Sequence, residues 1–305
     1  MSVPTFRAAV VRTPGGPDSI EIVDVPLVEP GPGQVRVRVV AAAVNPVDLG
    51  VAAGVFHDLG LVHQPNWTGL GWDFAGTVEA AGPGVDLAAG TRVAGVVAGF
   101  DRDYGTYAER LVVSAADVAV VPDALDLITA STVPLNGLTA LQILDLLGDA
   151  PADGRRLLVT GAAGAVGGYL IALAGERGWQ VAGLARDHDE EFVRGLGGDF
   201  TADAEPGWDA VADAGAMQHA ALALVRDGGR FVGVQPSSEL PTERGIAVTA
   251  VVAHPDGTRL AELLARAASA QLPARVHAVL PLDQVADAHR ALAKGGVRGR
   301  FVIQP

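Results

Sequence analysis

The sequence predicts a mixed α/β protein that combines a compact β-rich barrel with a doubly wound parallel sheet. In the first third of the 305-residue chain, Gly and Pro divide short apolar runs. From near Pro122 onward, short buried strands alternate with helical patterns, which is typical of βαβ units. The chain is 49% hydrophobic, which is enough to bury two cores.

The first part reads as short strands separated by turns such as EPGPG and GPGVD. Residues 34–44 show partial period-two alternation, which indicates a strand with one buried face. We predict strands at 7–11, 21–25, 34–44, 74–82, 91–97 and 107–113. So many short strands predict a largely antiparallel barrel.

The second part alternates helices and strands. Polar capping residues followed by helical spacing predict a helix over 129–148. We then predict strands at 155–162, 179–185, 208–215 and 229–235 and helices at 164–178, 217–228 and 256–271. The tail, with strands at 275–282 and 298–304 around a helix at 283–296, does not extend this alternation and could return to complete the first part.

Composition excludes several function classes. The net charge is −13 and Lys294 is the single lysine, so no basic patch exists for nucleic acid or an anionic membrane. The absence of cysteine removes disulfides, thiol nucleophiles and thiolate metal sites. With neither a signal-peptide pattern nor an apolar run of membrane-spanning length, we expect a soluble cytoplasmic protein.

The stretch VTGAAGAVGG joins a predicted strand to a predicted helix. Its small residues Ala162, Gly164 and Gly167 have the spacing of a turn that binds a pyrophosphate, with alanine in place of the usual first glycine. Such residues allow a tight turn, close approach of a phosphate and close helix–strand packing. The alternative is that they serve packing alone.

The end of the next strand selects the nucleotide. An NAD-binding protein usually has Asp or Glu there, whereas this chain has Ala185 followed by Arg186. A guanidinium suits a 2′-phosphate, so the pattern favours NADPH over NADH. The alternative is a solvated arginine whose charge Asp187 partly offsets.

Several further motifs, among them AAAVNPVD, GWDFAGTVEAAGPGV, GTYAERLVV, VPLNGLTALQ and ADAHRALAKGGVRGRFVI, complete a resemblance. With the glycine turn, the chain resembles the zinc-independent quinone oxidoreductases of the medium-chain dehydrogenase/reductase superfamily. This resemblance implies a GroES-like substrate domain over 1–123 and 274–305, with a Rossmann NADPH-binding domain over 124–273 and an active site in the interdomain cleft. It also implies a homodimer.

To the predicted cofactor contacts Ala162, Gly164, Gly167 and Arg186 the resemblance adds further ones. They are Asn45, Val47, Thr139, Ala165, Val166 and Gln235. Asn45 is also the candidate catalytic residue, as a polar contact for negative charge that develops on the substrate oxygen. Its alternative role is to cap its own turn, and the alternative role of Thr139 is to cap a helix.

Zinc-dependent relatives carry Gly-His-Glu where this chain has Gly71, Trp72 and Asp73. The seven histidines show no close pairing and cysteine is absent, so we expect no metal site. Without a Lewis acid, the acceptor must itself spread the negative charge. Hydride addition to a quinone leaves a phenol-like anion, whereas addition to an isolated ketone leaves an alkoxide. With pKa values of about 10 for a phenol and about 15.7 for water as a stand-in for an alcohol, forming the phenol-like anion costs roughly 8 kcal/mol less.

The pocket departs from the family pattern. Gly50 and Ala52 stand where relatives often have an aromatic or lysine and then an arginine, and Phe56 and Ala204 replace frequent tyrosines. No side-chain acid is evident at these positions, so we expect water to supply the proton. The candidate substrate pocket consists of Phe56, Trp67, Tyr104 and Asn136, although each could serve packing alone.

These expectations combine into one predicted function with two alternatives. The prediction is an NADPH-dependent, metal-free oxidoreductase that acts on a small-molecule quinone or α,β-unsaturated carbonyl. One alternative is a dedicated enoyl or ketone reductase of a biosynthetic pathway. The other, of a different class, is a non-catalytic NADPH-binding sensor or interaction protein.

Overall fold

The computed structural model describes residues 3–153, 155–236 and 240–305. The chain divides into two compact units. The first unit comprises the residues up to Leu135 together with Pro255–Ala270 and Ala274–Pro305, and the second comprises Asn136–His254 and Gln271–Pro273.

The strands are numbered along the chain. They are β1 (Thr5–Val11), β2 (Ile20–Pro26), β3 (Gln34–Ala43), β4 (Thr68–Gly69), β5 (Asp73–Ala81), β6 (Arg92–Val96), β7 (Arg110–Ser114), β8 (Val118–Val120), β9 (Arg156–Thr160), β10 (Gln180–Leu184), β11 (Asp199–Thr201), β12 (Trp208–Asp213), β13 (Val225–Gly233), β14 (Ala247–Ala250), β15 (Val276–Pro281) and β16 (Arg300–Gln304).

The helices follow the same order. They are α1 (Pro46–Ala53), α2 (Val55–Asp58), α3 (Leu127–Ala130), α4 (Pro134–Leu147), α5 (Ala165–Ala174), α6 (Glu190–Gly195), α7 (His219–Leu222), α8 (Gly257–Ala268) and α9 (Val285–Ala293).

The first unit is β-rich, as predicted. A sheet in the order β15-β16-β3-β5-β6-β8 carries β7 as a further partner of β3, and a smaller sheet has the order β2-β1-β4. Alternation along β3 buries Val35, Val37 and Val39 in the core of this unit. The closing strand β16 pairs antiparallel with β3 through Val302–Ala43 and Ile303–Ala42, so the tail does complete the sheet of the first unit.

The second unit holds a six-stranded sheet in the order β11-β10-β9-β12-β13-β14, and every strand pair in it is parallel. Numbered within the sheet, this order is 3-2-1-4-5-6, the order of a doubly wound dinucleotide-binding fold. The strand order reverses between β9 and β12, and ligands of such sheets bind at the carboxyl ends of the strands on either side. The predicted parallel sheet is confirmed.

The predicted helix over 217–228 is wrong for most of its length. Only α7 is helical, and the chain is already in β13 from Val225 onward. Val225 is buried and pairs with Trp208 of β12, and Gly228 adopts a φ of +70° that does not continue a helix. Sheet pairing from Val225 onward therefore ends the helix after one turn.

The predicted helix over 129–148 is two helices, α3 and α4. Pro134 is the first residue of α4, a position that proline favours because it lacks an N–H to donate. The strands predicted at 7–11, 21–25 and 34–44 are confirmed within one or two residues as β1, β2 and β3.

Candidate functional site

The glycine turn of the second unit lies between β9 and α5. Gly161 has a φ of +59°, and a Cβ atom there would lie 2.7 Å from the Gly215 Cα. A Cβ atom on Gly167 would lie 2.3 Å from the Gly161 carbonyl oxygen. Both positions therefore require glycine, for the turn itself and for the contact between helix and turn.

Alanine at the first position of the motif has a local explanation. Ala162 is fully buried, and its methyl group faces Gly183 of β10, where a Cβ atom would come within 2.7 Å of it. The missing side chain at Gly183 thus makes room for the methyl group of Ala162. Alanine is accommodated without displacing the turn.

The amino terminus of α5 is available to an anion. Gly164 caps this helix and is exposed, and Ala165 and Val166 in the first turn are half-buried. The first N–H groups of a helix have no partner within the helix, and they carry the positive end of its dipole. The N-terminus of this ten-residue helix, with its exposed glycine cap, is therefore suited to bind a pyrophosphate.

A cavity of about 610 Å³ opens at the carboxyl ends of β10 and β11. This is the edge of a doubly wound sheet at which nucleotides bind. Ala204, which replaces a tyrosine frequent in relatives, is part of the cavity wall. The wall consists of Leu184, Ala185, Arg186, Asp187, Ala202, Asp203, Ala204, Met217, Ala220 and Leu224.

Arg186 is the cationic residue of this wall. Its side chain is exposed, and in the described part of the chain it makes no ion pair within 4.0 Å, so Asp187 does not neutralise its charge through an ion pair. The other charged residues of the wall, Asp187 and Asp203, are acidic. Arg186 can therefore bind a phosphate group through its guanidinium fork.

Gln235 lies two residues beyond the end of β13 and is exposed. Its side-chain oxygen accepts a hydrogen bond from the side chain of Gln218. Thr139 and Asn136 lie on α4 and are buried, with 7% and 1% of their surface exposed. Their predicted roles toward a cofactor and a substrate stay predictions.

The first unit contains a buried polar network around Asn45. The Asn45 side-chain amide donates to Asp73 Oδ2 at 2.8 Å and to the Ala43 carbonyl at 3.4 Å. The Asn45 backbone N–H and the Tyr107 hydroxyl both donate to Asp48 Oδ2, at 2.9 and 2.7 Å. Asn45 thus links two carboxylates that are themselves fully buried.

Each carboxylate has a further backbone donor. Asp48 Oδ1 accepts from the Gly71 N–H at 3.1 Å, and Asp73 Oδ1 accepts from the Leu135 N–H, in the first turn of α4, at 2.6 Å. These bonds fasten the start of α1 and the start of α4 to the sheet of the first unit.

Burial perturbs the titration of this network. Loss of water raises the pKa of Asp48 to about 6 and the pKa of Asp73 to about 7, because the hydrogen bonds offset only part of the desolvation cost. Burial also raises the pKa of Tyr107 well above its ordinary value. Burial lowers the pKa of Arg102 to about 10, even though Asp48 favours its charged form.

This network was not predicted from the sequence. The signal was present in NPVD, because an asparagine followed three residues later by an acidic residue is typical of a helix N-terminus. Asn45 does cap α1, and Val47 lies half-buried in its first turn. Its side-chain amide donates to Asp73 and to the Ala43 carbonyl, and its backbone N–H donates to Asp48, so Asn45 bridges the two carboxylates.

The predicted pocket aromatics each have a packing partner in the first unit. Phe56 stacks on Phe100 with ring centroids 3.7 Å apart, and Tyr104 meets Phe6 edge to face at 5.3 Å. The guanidinium of Arg12 lies 4.6 Å from the Trp67 ring centroid. The structure does not bring Phe56, Trp67 and Tyr104 into direct ring contact with one another.

The described residues hold neither a candidate metal cluster nor a membrane-spanning helix. Among residues 3–153, 155–236 and 240–305, no three His, Asp or Glu side chains are grouped so that they could hold a metal ion. Over the same residues, every helix is too short or too polar to cross a membrane.

Two family models match the chain. A model described as an alcohol dehydrogenase GroES-like domain matches residues 31–123, within the first unit. A model described as a zinc-binding dehydrogenase matches residues 188–303, which include parts of both units.

Curated relatives share segments of similar sequence. A pikromycin polyketide synthase component from Streptomyces venezuelae is 34% identical over 233 residues, which are 70% of this chain and 6% of that protein. A 2-haloacrylate reductase from a Burkholderia species is 34% identical over 194 residues, which are 62% of this chain and 56% of that reductase. The chain therefore spans less than two thirds of either relative.

Solved structures share the fold. The quinone oxidoreductase from Coxiella burnetii matches with a TM-score of 0.85 and 25% identity, over 99% of this chain and 100% of that one.

Proposed function

We propose that this chain, a member of the medium-chain dehydrogenase/reductase superfamily, is an NADPH-dependent, metal-free reductase of quinones or α,β-unsaturated carbonyls. Members of that superfamily use a nicotinamide cofactor. The observation that carries the choice of NADPH is Arg186, an exposed cation without an ion-pair partner in the described chain. It lies on the cavity wall just beyond β10.

The second unit would hold the coenzyme. The N–H groups of Ala165, Val166 and Gly167 would bind the pyrophosphate, and Arg186 would bind the 2′-phosphate. Ala162 and Gly164 would keep the turn small enough for that approach. Bound there, NADPH supplies a hydride, and Thr139, Gln235, Asn45 and Val47 remain the proposed contacts of its nicotinamide half.

The acceptor must tolerate the absence of zinc ligands in this chain. Trp72 and Asp73 stand where zinc-dependent relatives have histidine and glutamate, and there is no cysteine. A quinone or an enone delocalises the new negative charge, which makes an acceptor of this kind easier to reduce than an isolated ketone. One relative is named a 2-haloacrylate reductase, and a 2-haloacrylate is an alkene conjugated to a carboxylate.

Water is the proposed proton source. Asp48 and Asp73 are fully buried and each already accepts at least two hydrogen bonds, so neither offers a proton at the surface. Phe56 has no acidic group at the position where relatives often have tyrosine.

A dedicated enoyl reductase is the second candidate. It is supported by the 34% identity to a segment of a polyketide synthase, a biosynthetic enzyme. Enoyl thioesters and quinones should therefore be compared directly as acceptors. Tight NADPH binding without turnover of any acceptor would favour the sensor alternative instead.

Calorimetry with NADPH and NADH tests the proposal. We expect Arg186→Ala to weaken NADPH binding by about 10- to 100-fold, because a charge-assisted hydrogen bond contributes about 1.5–3 kcal/mol. NADH binding should change little, since it lacks the 2′-phosphate. Arg38→Ala, which removes the same charge from an exposed side chain of the first unit, is the control. Equal losses for both coenzymes would contradict the assignment of Arg186.

The homodimer and the cytoplasmic location also stay predictions. Light scattering on the pure protein measures the first directly.

A further inference from the structure

Thr160 and Asp213 face each other at the carboxyl ends of two neighbouring strands. They are register partners in the parallel pair β9–β12, and both are fully buried. The Thr160 hydroxyl donates to Asp213 Oδ1 at 2.5 Å. This pair sits directly before the glycine turn on one strand and directly before the loop 214–218 on the other.

The same two side chains hold the backbone of that loop. Thr160 Oγ1 accepts from the Gly215 N–H at 3.0 Å. Asp213 accepts from the Met217 N–H through Oδ1 at 3.0 Å and from the Gln218 N–H through Oδ2 at 2.7 Å. Three backbone donors of a five-residue loop therefore depend on one hydroxyl and one carboxylate.

The loop needs this support because its backbone is strained. Ala216 has a φ of +54° and Gln218 a φ of +55°, a region that residues with a side chain rarely adopt. Only four non-glycine residues of the described chain have a positive φ, and two of them are here. Such conformations persist where surrounding contacts fix them, which the Thr160–Asp213 pair does.

The loop also contacts the proposed coenzyme site on two sides. Met217 is part of the cavity wall that includes Arg186, and 41% of its surface is exposed. Gly215 lies against the phosphate turn, since a Cβ atom on Gly161 would come within 2.7 Å of its Cα. The wall of the cavity and the turn are thus joined through this loop.

We propose that Thr160 and Asp213 are positioning residues for the coenzyme: they fix loop 214–218 so that it forms one wall of the adenosine cavity beside the phosphate turn. This inference rests on the proposed function. Neither side chain needs to touch the coenzyme, because both are fully buried and both are used in holding the loop.

The test compares Thr160→Val with Thr160→Ser. Valine keeps the branched shape of threonine but loses the hydroxyl, whereas serine keeps the hydroxyl. We expect Thr160→Val to raise the Kd for NADPH and for 2′,5′-ADP about tenfold, equivalent to about 1.4 kcal/mol. Thr160→Ser should bind both within about threefold of the wild type, since it retains the bond to Asp213.

Kinetics separates positioning from a general loss of structure. With a quinone that the wild type reduces, the KM for NADPH of Thr160→Val should rise about tenfold while kcat at saturating NADPH stays within about twofold. A valine variant that binds both ligands as the wild type does would overturn the inference and leave the proposed function standing. A wild-type protein that binds neither NADPH nor NADH would overturn the proposed function itself.

A measurement on the wild type covers the case in which the valine variant does not fold. The amides of Gly215, Met217 and Gln218 should exchange hydrogen more slowly when 2′,5′-ADP is bound, because the ligand closes over a loop that is already held. Unchanged exchange at these amides with saturating ligand would refute the proposal.

Discussion

The buried carboxylate of Asp73 should destabilise the protein progressively as the pH rises toward 8. Its pKa is raised from 3.8 to about 7, chiefly because burial disfavours the charged form. Between those two values the folded state binds a proton that the unfolded state has released. The contribution of Asp73 to stability is therefore complete below its pKa in the unfolded state, 3.8, and is lost as the pH rises through its pKa in the folded state, about 7.

The size of the effect follows from the shift. Each pH unit in that window changes the free energy of unfolding by about 1.4 kcal/mol. Between pH 5 and pH 8, Asp73 alone should lower the free energy of unfolding by about 3 kcal/mol. Asp48, whose pKa is raised to about 6 by burial, acts in the same direction.

A buried histidine masks this trend in the wild type. Burial lowers the pKa of His289 from 6.5 to about 4. Between those pH values the unfolded state binds a proton at His289 that the folded state does not, so this residue makes the free energy of unfolding rise with pH. The two opposite slopes partly cancel. The difference between wild type and Asp73→Asn removes the histidine contribution, because His289 is present in both proteins.

Urea unfolding of both proteins at pH 5, 6, 7 and 8 measures that difference. Asp73→Asn loses one hydrogen-bond acceptor toward Asn45 or Leu135, which shifts its curve by the same amount at every pH. Relative to wild type, the variant should gain about 3 kcal/mol from pH 5 to pH 8. Asp86→Asn, at an exposed aspartate, is the control. Parallel curves for Asp73→Asn and wild type would refute the reasoning.

Three further perturbations have defined outcomes. Gly167→Ala should destabilise the second unit and weaken NADPH binding, because its Cβ would lie 2.3 Å from the Gly161 oxygen; Gly175→Ala, with nothing within 4 Å, is the control in calorimetry and thermal unfolding. His289→Leu should stabilise the protein at pH 7 by about 1–3 kcal/mol in urea, since neither ring nitrogen has a hydrogen-bond partner in the described chain; unchanged or lower stability would contradict this. Peroxide should oxidise Met217, which is 41% exposed, and saturating NADPH should slow this in mass spectrometry; equal rates would argue against a coenzyme in that cavity.

The sequence predicted those features that depend on local pattern. Alternation along 34–44 predicted β3, and the small residues from Ala162 to Gly167 predicted the turn between β9 and α5. Both are set by short-range requirements, namely the two faces of a strand and the space inside a turn. The place of Arg186 just beyond β10 was predictable for the same reason, and its role toward a 2′-phosphate stays a prediction.

Features that depend on distant partners were not predictable in this way. The helical pattern over 217–228 gives way to β13 because Val225 pairs with Trp208, and nothing in the local pattern indicates that partner. The network that joins Asn45 to Asp73 and Tyr107 links residues 28 and 62 positions apart along the chain, which only the folded sheet brings together.

The pairing of β16 with β3 has a consequence for biosynthesis. Ala43 and Val302 are neighbours in one sheet, yet the ribosome adds Val302 some 259 residues after Ala43. Almost all of the second unit, Asn136–His254, is translated in that interval and can collapse around its own parallel sheet. Until β16 has been made, the edge of β3 at Ala42 and Ala43 lacks its native partner strand, and an unpaired strand edge is open to pairing with other chains.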